Sequence, residues 1–309
     1  MSRMLNDRAT SRACAFAPGS IGNVGPGFDV LGLAVEGIGD RVTVELTRGE
    51  TRVIDVTGRD ADLVPREATR NCAAIAANAY LHPFGYRAIV SIEKGLALAG
   101  GMGGSAASSA AGAYAAALAL GQSPDLREII AAALEGEAAV AGRHLDNIAP
   151  SVVGGLALSR SVDPIDVVKL PVSADWWIAL VTPRVRIQTK DARALLPAHF
   201  DEWIPQMANT TALAHAFAVA DGELLRRALD DRYAEPRRAS LIPRFYEVKR
   251  AALDAGAFGC SISGSGPTLF AIAANEVSAK KCADAMERAF GEIAAMHVAP
   301  IAKEGVRRG

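Results

Sequence analysis

Lys94 to Ser108 reads KGLALAGGMGGSAAS, and the fold turns on how this stretch is interpreted. Gly100-Gly101-Met102-Gly103-Gly104-Ser105 leads directly into an alanine-rich run, Ala106 to Leu120, that reads as a helix. Glycines let backbone N–H groups approach an anion without Cβ clashes, and a helix N-terminus adds unpaired donors and a favourable dipole. Such a cradle suits a polyphosphate. No Lys-Ser or Lys-Thr follows the glycines, so this is not a Walker A loop. Nor is an acidic residue evident about 20 positions on in a strand–helix–strand unit, as a dinucleotide fingerprint requires. Taken alone, the run fits close helix packing as well as it fits an anion cradle.

Working outward, no charged residue lies between Lys94 and Asp125, a span long enough to cross a bilayer. It is mostly Ala, Gly and Ser, with few Leu and no Ile, Val or Phe, which is weakly hydrophobic on a transfer scale. A tightly packed soluble loop and helix explains it better. Of the 309 residues, 50% are apolar and 22% charged, a globular composition with volume for one large domain or two ordinary ones. The 33 Lys and Arg nearly balance the 34 Asp and Glu, for a net charge of -1. No broad positive field is available to hold nucleic acid or an anionic membrane, so any phosphate must be bound locally. Cys14, Cys72, Cys260 and Cys282 form no CxxC pair and no metal-ligand spacing, and are expected as reduced thiols of a cytoplasmic protein. Met1 to Arg12 holds no apolar stretch that would serve as a signal sequence.

Arg41 to Arg48 (RVTVELTR) alternates apolar and polar residues, as a strand with one buried face should. Arg12 to Ala17, Arg87 to Ile92 and Trp177 to Val181 also read as strands, as do Ala295 to Ile301, taken as the last strand, and two short runs within Ser261 to Ala273. Helices are expected over Asn71 to Tyr80, Ser105 to Leu120, Asp125 to Ala141 (Pro124 marking its start), within Pro205 to Asp230, over Pro243 to Ala255 with Gly256 as C-cap, and over Val277 to Phe290. Val152–Val153, Gly154–Gly155 and Leu156 to Leu158 suggest a turn into a strand, and Arg160 to Pro171 reads as a polar stretch. Strands followed by helices in both halves imply an α+β fold with a boundary near residue 160.

Lys94 to Ser108 resembles the ATP-binding signature of the GHMP kinases, PxxxGLGSSAAS, with Ala97 at the usual Pro and Gly104 at the first Ser. Ala17 to Glu36, APGSIGNVGPGFDVLGLAVE, is similar to the N-terminal motif of the homoserine kinases in that superfamily, PASSANLGPGFDVLGLA. Gly259 to Ile272, GCSISGSGPTLFAI, resembles the third motif, a glycine loop that closes over the phosphate region. The three blocks stand in the family's order, and the resemblance covers nearly the full length. It implies a two-domain fold, with a ribosomal S5 domain 2-like ATP-binding unit over 1–160 and a ferredoxin-like unit over 161–309. It also implies ATP and Mg²⁺ as cofactors, L-homoserine as acceptor on the way to threonine, and a homodimer.

The resemblance assigns roles residue by residue. ATP would be held by Asn71 on the adenine side and by Ala97, Leu98, Ala99, Gly100, Gly101, Met102, Gly103, Gly104, Ser105, Ala106 and Ala107. Glu137 stands five residues before Gly142, where homoserine kinases place their Mg²⁺-binding Glu, and Ser105 would share the metal. Glu135 competes; two residues apart on a helix, the two point to different faces. His144 to Pro150, HLDNIAP, is similar to the family's HxDNVAP and would set Asp146 and Asn147 beside the substrate. Several relatives have an Asp, the proposed general base, where this chain has Asn147, and an amide takes up no proton near neutral pH. No strong side-chain base is therefore expected. His144 is read as structural.

TKDAR, Thr189 to Arg193, matches the family's TxxAR, and EPRR, Glu235 to Arg238, matches EPYR. Arg193 and Arg238 would hold a carboxylate bidentately, while Asp29 anchors an ammonium and Asn23 reads hydroxyl or carboxylate. Arg237 is left as a surface residue. Together these groups describe a zwitterionic amino acid rather than a sugar or mevalonate.

Overall fold

The computed structural model describes residues 11–173, 175–185, 187, 189–196 and 203–309. The first sheet takes β1 (Arg12–Gly22), β2 (Leu31–Thr47), β3 (Arg52–Gly58) and β4 (Arg87–Lys94), then β5 (Leu156–Val162) and β6 (Ile165–Leu170). The second takes β7 (Trp177–Pro183), β8 (Gly259–Ile262), β9 (Leu269–Ala273) and β10 (Ile293–Pro300) in the order β10-β7-β9-β8. A short β11 (Arg307–Arg308) returns to the first sheet and pairs with β1, so β10 is not the last strand.

Four helices belong with the first sheet: α1 (Cys72–Leu81), α2 (Gly104–Ala119), α3 (Leu126–Ala138) and α4 (Ile148–Val153). They are followed by α5 (Thr189–Ala194), α6 (Trp203–Val219), α7 (Gly222–Ala228), α8 (Ala234–Arg238), α9 (Phe245–Asp254) and α10 (Glu276–Phe290). The expected Gly256 sits past α9 at φ +100°, and two side chains cap helix starts: Asn71 accepts from Ala74 N–H and Asp125 accepts from Arg127 N–H.

The uncharged stretch after Lys94 is explained by α2, which touches α1, α3, β1 and β2 and is buried along nearly its whole length. Small residues are a steric requirement here. A Cβ on Gly112 would lie 2.6 Å from the Ala73 carbonyl oxygen, and one on Gly136 would lie 2.4 Å from that of Cys72. Among the described residues no helix is long and apolar enough to cross a membrane.

Strands β7, β8 and β9 of the second sheet are buried on both faces, and the two-residue period of its strands divides them. Ile178, Leu180, Phe270 and Ile272 join the main core around α2, while Ala179, Val181, Leu269 and Ala271 face a second core built with α9 and α10. The main core is therefore built by both halves of the chain.

Three elements differ from the expectations. β3 forms an edge strand parallel to β4, joined to it through α1. The polar stretch after Arg160 contains β6, paired with β5; its half-exposed face carries the polar residues that mask it in sequence. Val152 and Val153 close α4 before the Gly154–Gly155 turn.

Candidate active site

Three glycine-rich turns meet where the two sheets adjoin. One follows β1 (Asn23 to Asp29), one precedes α2 (Ala97 to Gly103), and one joins β8 to β9 (Ser263 to Thr268). Ser263 Oγ donates to the Gly101 carbonyl at 2.6 Å, and Thr268 Oγ1 donates to that of Gly100. The Gly264 N–H donates to the Gly22 carbonyl at 3.1 Å. Gly101 has φ +80°, and a Cβ there would lie 2.6 Å from the Gly266 carbonyl oxygen. No other residue type fits between these turns.

They enclose a cavity of about 320 Å³. Its floor is Ala97 to Gly101 with Gly103, Gly104 and Ser105. Gly103, at φ +63°, is the N-cap of α2, and no side chain caps that helix, which leaves its first-turn donors to a ligand. Met102, Ala106 and Ala107 are buried in the core and do not line the cavity, so their part in any cradle is limited to backbone. Gly104 is not sterically required: a Cβ would have its nearest neighbour at 3.4 Å.

On one wall stands Glu137. It is buried, with the Ser105 side chain close enough to favour its charged form. Desolvation pushes its carboxyl up to about 7, against the opposing pull of Ser105 and of the Lys94 charge. Its Oε2 is buried with no hydrogen-bond partner. Glu135, on another face of α3, is exposed and pairs with Arg143 at 3.1 Å. Glu137, preferred over Glu135 on the family resemblance, lines the cavity, and Glu135 does not.

Asp146 and Asn147 line the same cavity at the start of α4. Ser20 Oγ donates to Asn147 Oδ1 at 3.0 Å, and Asn147 Nδ2 lies 3.5 Å from Asp146 Oδ2. Asn147 Oδ1 is also 2.8 Å from where a Gly103 Cβ would stand, so the glycine loop lies directly against this amide.

Opposite are Asn23, Asp29 and Arg238. Both ends of the Asn23 amide are spent on the loops: Oδ1 accepts from Asp29 N–H at 3.0 Å, and Nδ2 donates to the Gly264 carbonyl at 3.2 Å. Arg238 Nη1 donates to that same carbonyl at 3.0 Å, with the guanidinium 5.5 Å from the Phe28 ring centroid. Asn23 therefore shapes the turn that presents Asp29. Arg238 ends α8, a short helix capped by Asp231, whose carboxylate accepts from the N–H groups of Tyr233, Ala234 and Glu235. Buried Glu235 on that helix pairs with Lys249 and accepts from Ser261 Oγ at 2.6 Å; desolvation raises its carboxyl. Arg237 points away, donating to the Tyr233 carbonyl at 2.6 Å.

A further assigned residue, Asn71, is not brought to this cavity. Asn71 caps α1 with its oxygen and donates to the Pro65 carbonyl at 2.8 Å with its nitrogen, and it is absent from the lining. Arg193 lies in α5, but its side chain is outside the described residues. Conversely, His144, read as structural, lines the cavity with Nδ1 3.8 Å from Asp29 Oδ2. Sequence reasoning also missed a buried network of Asp40, Lys94 and Ser108 beneath the glycine loop. The signal was faint: Lys94 is the last charge before the uncharged stretch. Breaking such a buried pair by removing one partner costs roughly 3–5 kcal/mol.

A glycine cradle at a helix N-terminus open to a cavity, with an unpartnered carboxylate oxygen beside it and an Asp and Arg facing it, is the equipment of a small-molecule kinase. Residues 68–155 match the GHMP kinases N terminal domain, and residues 213–293 match GHMP kinases C terminal. The chain belongs to the GHMP kinase family, in the branch of the homoserine kinases. It is 37% identical to the homoserine kinase of Chlorobium phaeobacteroides over 94% of this chain and 98% of that one. Against the homoserine kinase of Pyrococcus abyssi the identity is 41%, over 90% and 92%. The crystal structure of homoserine kinase from Cytophaga hutchinsonii superposes with a TM-score of 0.90 at 39% identity, covering 99% of each chain.

Proposed function

We propose that this enzyme transfers the γ-phosphoryl group of ATP to the side-chain hydroxyl of L-homoserine, giving O-phospho-L-homoserine and ADP, a step of threonine biosynthesis from aspartate. The observation that carries the reading is the pairing, across one cavity, of an anion cradle with Asp29 and Arg238. A zwitterionic amino acid needs both charges, and neither a sugar nor mevalonate offers an ammonium to Asp29.

In this reading backbone donors of Gly100 to Ser105 hold the phosphates. Asp29 takes the ammonium and Arg238 the carboxylate, joined by Arg193. Asn147 orients the acceptor hydroxyl, with Asp146 beside it. Its proton passes to solvent or to the phosphate, because an amide whose oxygen already accepts from Ser20 is no base. Ser105 and Glu137 would hold Mg²⁺, and the orphaned Glu137 Oε2 is the feature that fits a hard cation. When bound, the metal neutralises charge on the transferring phosphate. The same reading makes the protein a cytoplasmic homodimer, which sedimentation velocity tests.

ADP release measured with L-homoserine, mevalonate, shikimate and galactose decides the acceptor. Release with homoserine alone is expected. No release with homoserine overturns the assignment, and release with none of the four points to a binding protein.

A further inference from the structure

Asp40 in β2 and Lys94 at the end of β4 form an ion pair shielded from solvent, and neither lines the cavity. Asp40 uses its carboxylate fully. Oδ1 accepts from the N–H groups of Gly95 (3.0 Å) and Leu96 (3.1 Å), while Oδ2 accepts from Lys94 and from Ser108 Oγ (2.6 Å). The three N–H bonds of the Lys94 ammonium are matched as well, by Asp40, by Ser108 Oγ at 3.0 Å and by the Gly104 carbonyl at 3.2 Å.

These partners are not a random set. Gly95 and Leu96 open the glycine loop, whereas Gly104 and Ser108 begin the helix that closes it. The network ties the two ends of the loop together across its base. A buried ion pair adds little net stability over an apolar pair of the same volume, so stability alone gives this one no purpose. Geometry does: backbone donors must stand within about 0.5 Å of their working positions to hold a ligand well.

We propose that Asp40 and Lys94 are positioning residues that set the span of the glycine loop, and through it the affinity for the phosphates of the nucleotide, without touching the nucleotide. The proposal rests on the reading of this loop as the ATP cradle.

The test exchanges both charges at once, Asp40→Leu with Lys94→Met, so that no unpaired charge stays buried. Thermal unfolding reports the fold, calorimetry reports ADP affinity, and steady-state kinetics separates the two substrates. A folded double variant is expected to bind ADP at least about tenfold more weakly and to show a matching rise in KM for ATP, with KM for homoserine within about twofold of the parent. An ADP affinity within about twofold of the parent overturns the proposal, as does an equal rise in both KM values. Should the double variant not fold, Ser108→Ala decides: about threefold weaker ADP binding supports the proposal, and unchanged binding overturns it. ADP binding needs no acceptor, so a parent that ignores homoserine would count against the acceptor assignment and leave this test standing.

Discussion

The hydroxyl of Ser20 donates to Asn147 Oδ1 at 3.0 Å, which engages the amide oxygen and turns its nitrogen toward Asp146. A residue held this way positions a hydroxyl without taking its proton. Asn147→Ala is expected to lower kcat about a hundredfold by loss of orientation. The shape of the kcat–pH profile should stay as in the parent. Unchanged turnover in that variant would refute the orienting role.

Glu137 makes stability depend on pH. Its carboxyl is raised from 4.5 to about 7 by burial, so between these values the folded state holds a proton that the unfolded state has released. This group's contribution to stability is fully present below pH 4.5 and is lost as pH rises through about 7, about 3 kcal/mol for one group shifted this far. Urea midpoints of the metal-free protein at pH 5 and pH 8 measure it, and Glu137→Gln should remove this component. A midpoint in the parent that rises over the same interval would contradict the assignment.

Asp29 has φ +61°, a conformation that Asn adopts readily. Asp29→Asn should therefore leave the turn and the melting temperature nearly unchanged while deleting the charge proposed to meet the ammonium. KM for homoserine is expected to rise about tenfold or more, with KM for ATP unaffected. A parallel rise in both constants would mean that Asp29 shapes the cavity instead.

Gly101→Ala should cost roughly 2–4 kcal/mol, because left-handed backbone is joined by backbone contacts that cannot give way. Gly85, at φ +75° with nothing within 4 Å of a Cβ, supplies the comparison: Gly85→Ala is expected to cost only about 1–2 kcal/mol. Equal melting temperatures for the two variants would show that the third glycine loop does not bear on the second.

Local chemistry made several features legible before any coordinates. RVTVELTR alternates because one face of β2 is buried, and α9 stops at the Gly256 that marks its end in the sequence. What escaped is equally instructive. β3 and β6 lie toward the sheet's edges with exposed faces, so burial imposes no clean pattern on them. The Asn23 to Asp29 turn is readable as a turn, yet that its amide would be consumed by the Asp29 N–H and by Gly264, 241 residues away, is not.

Sequence alone determined the glycine run leading into a small-residue helix, the near balance of charge, and the family to which the three motif blocks point. These depend on neighbours along the chain, whose spacing fixes backbone conformation directly. Tertiary structure alone buried Glu137 while leaving Glu135 in solvent, turned Asn71 to capping, set His144 beside Asp29 and buried Asp40 against Lys94. The reason is physical. The role of a polar side chain is decided by whether water or protein surrounds it, and that is set by residues far away in sequence.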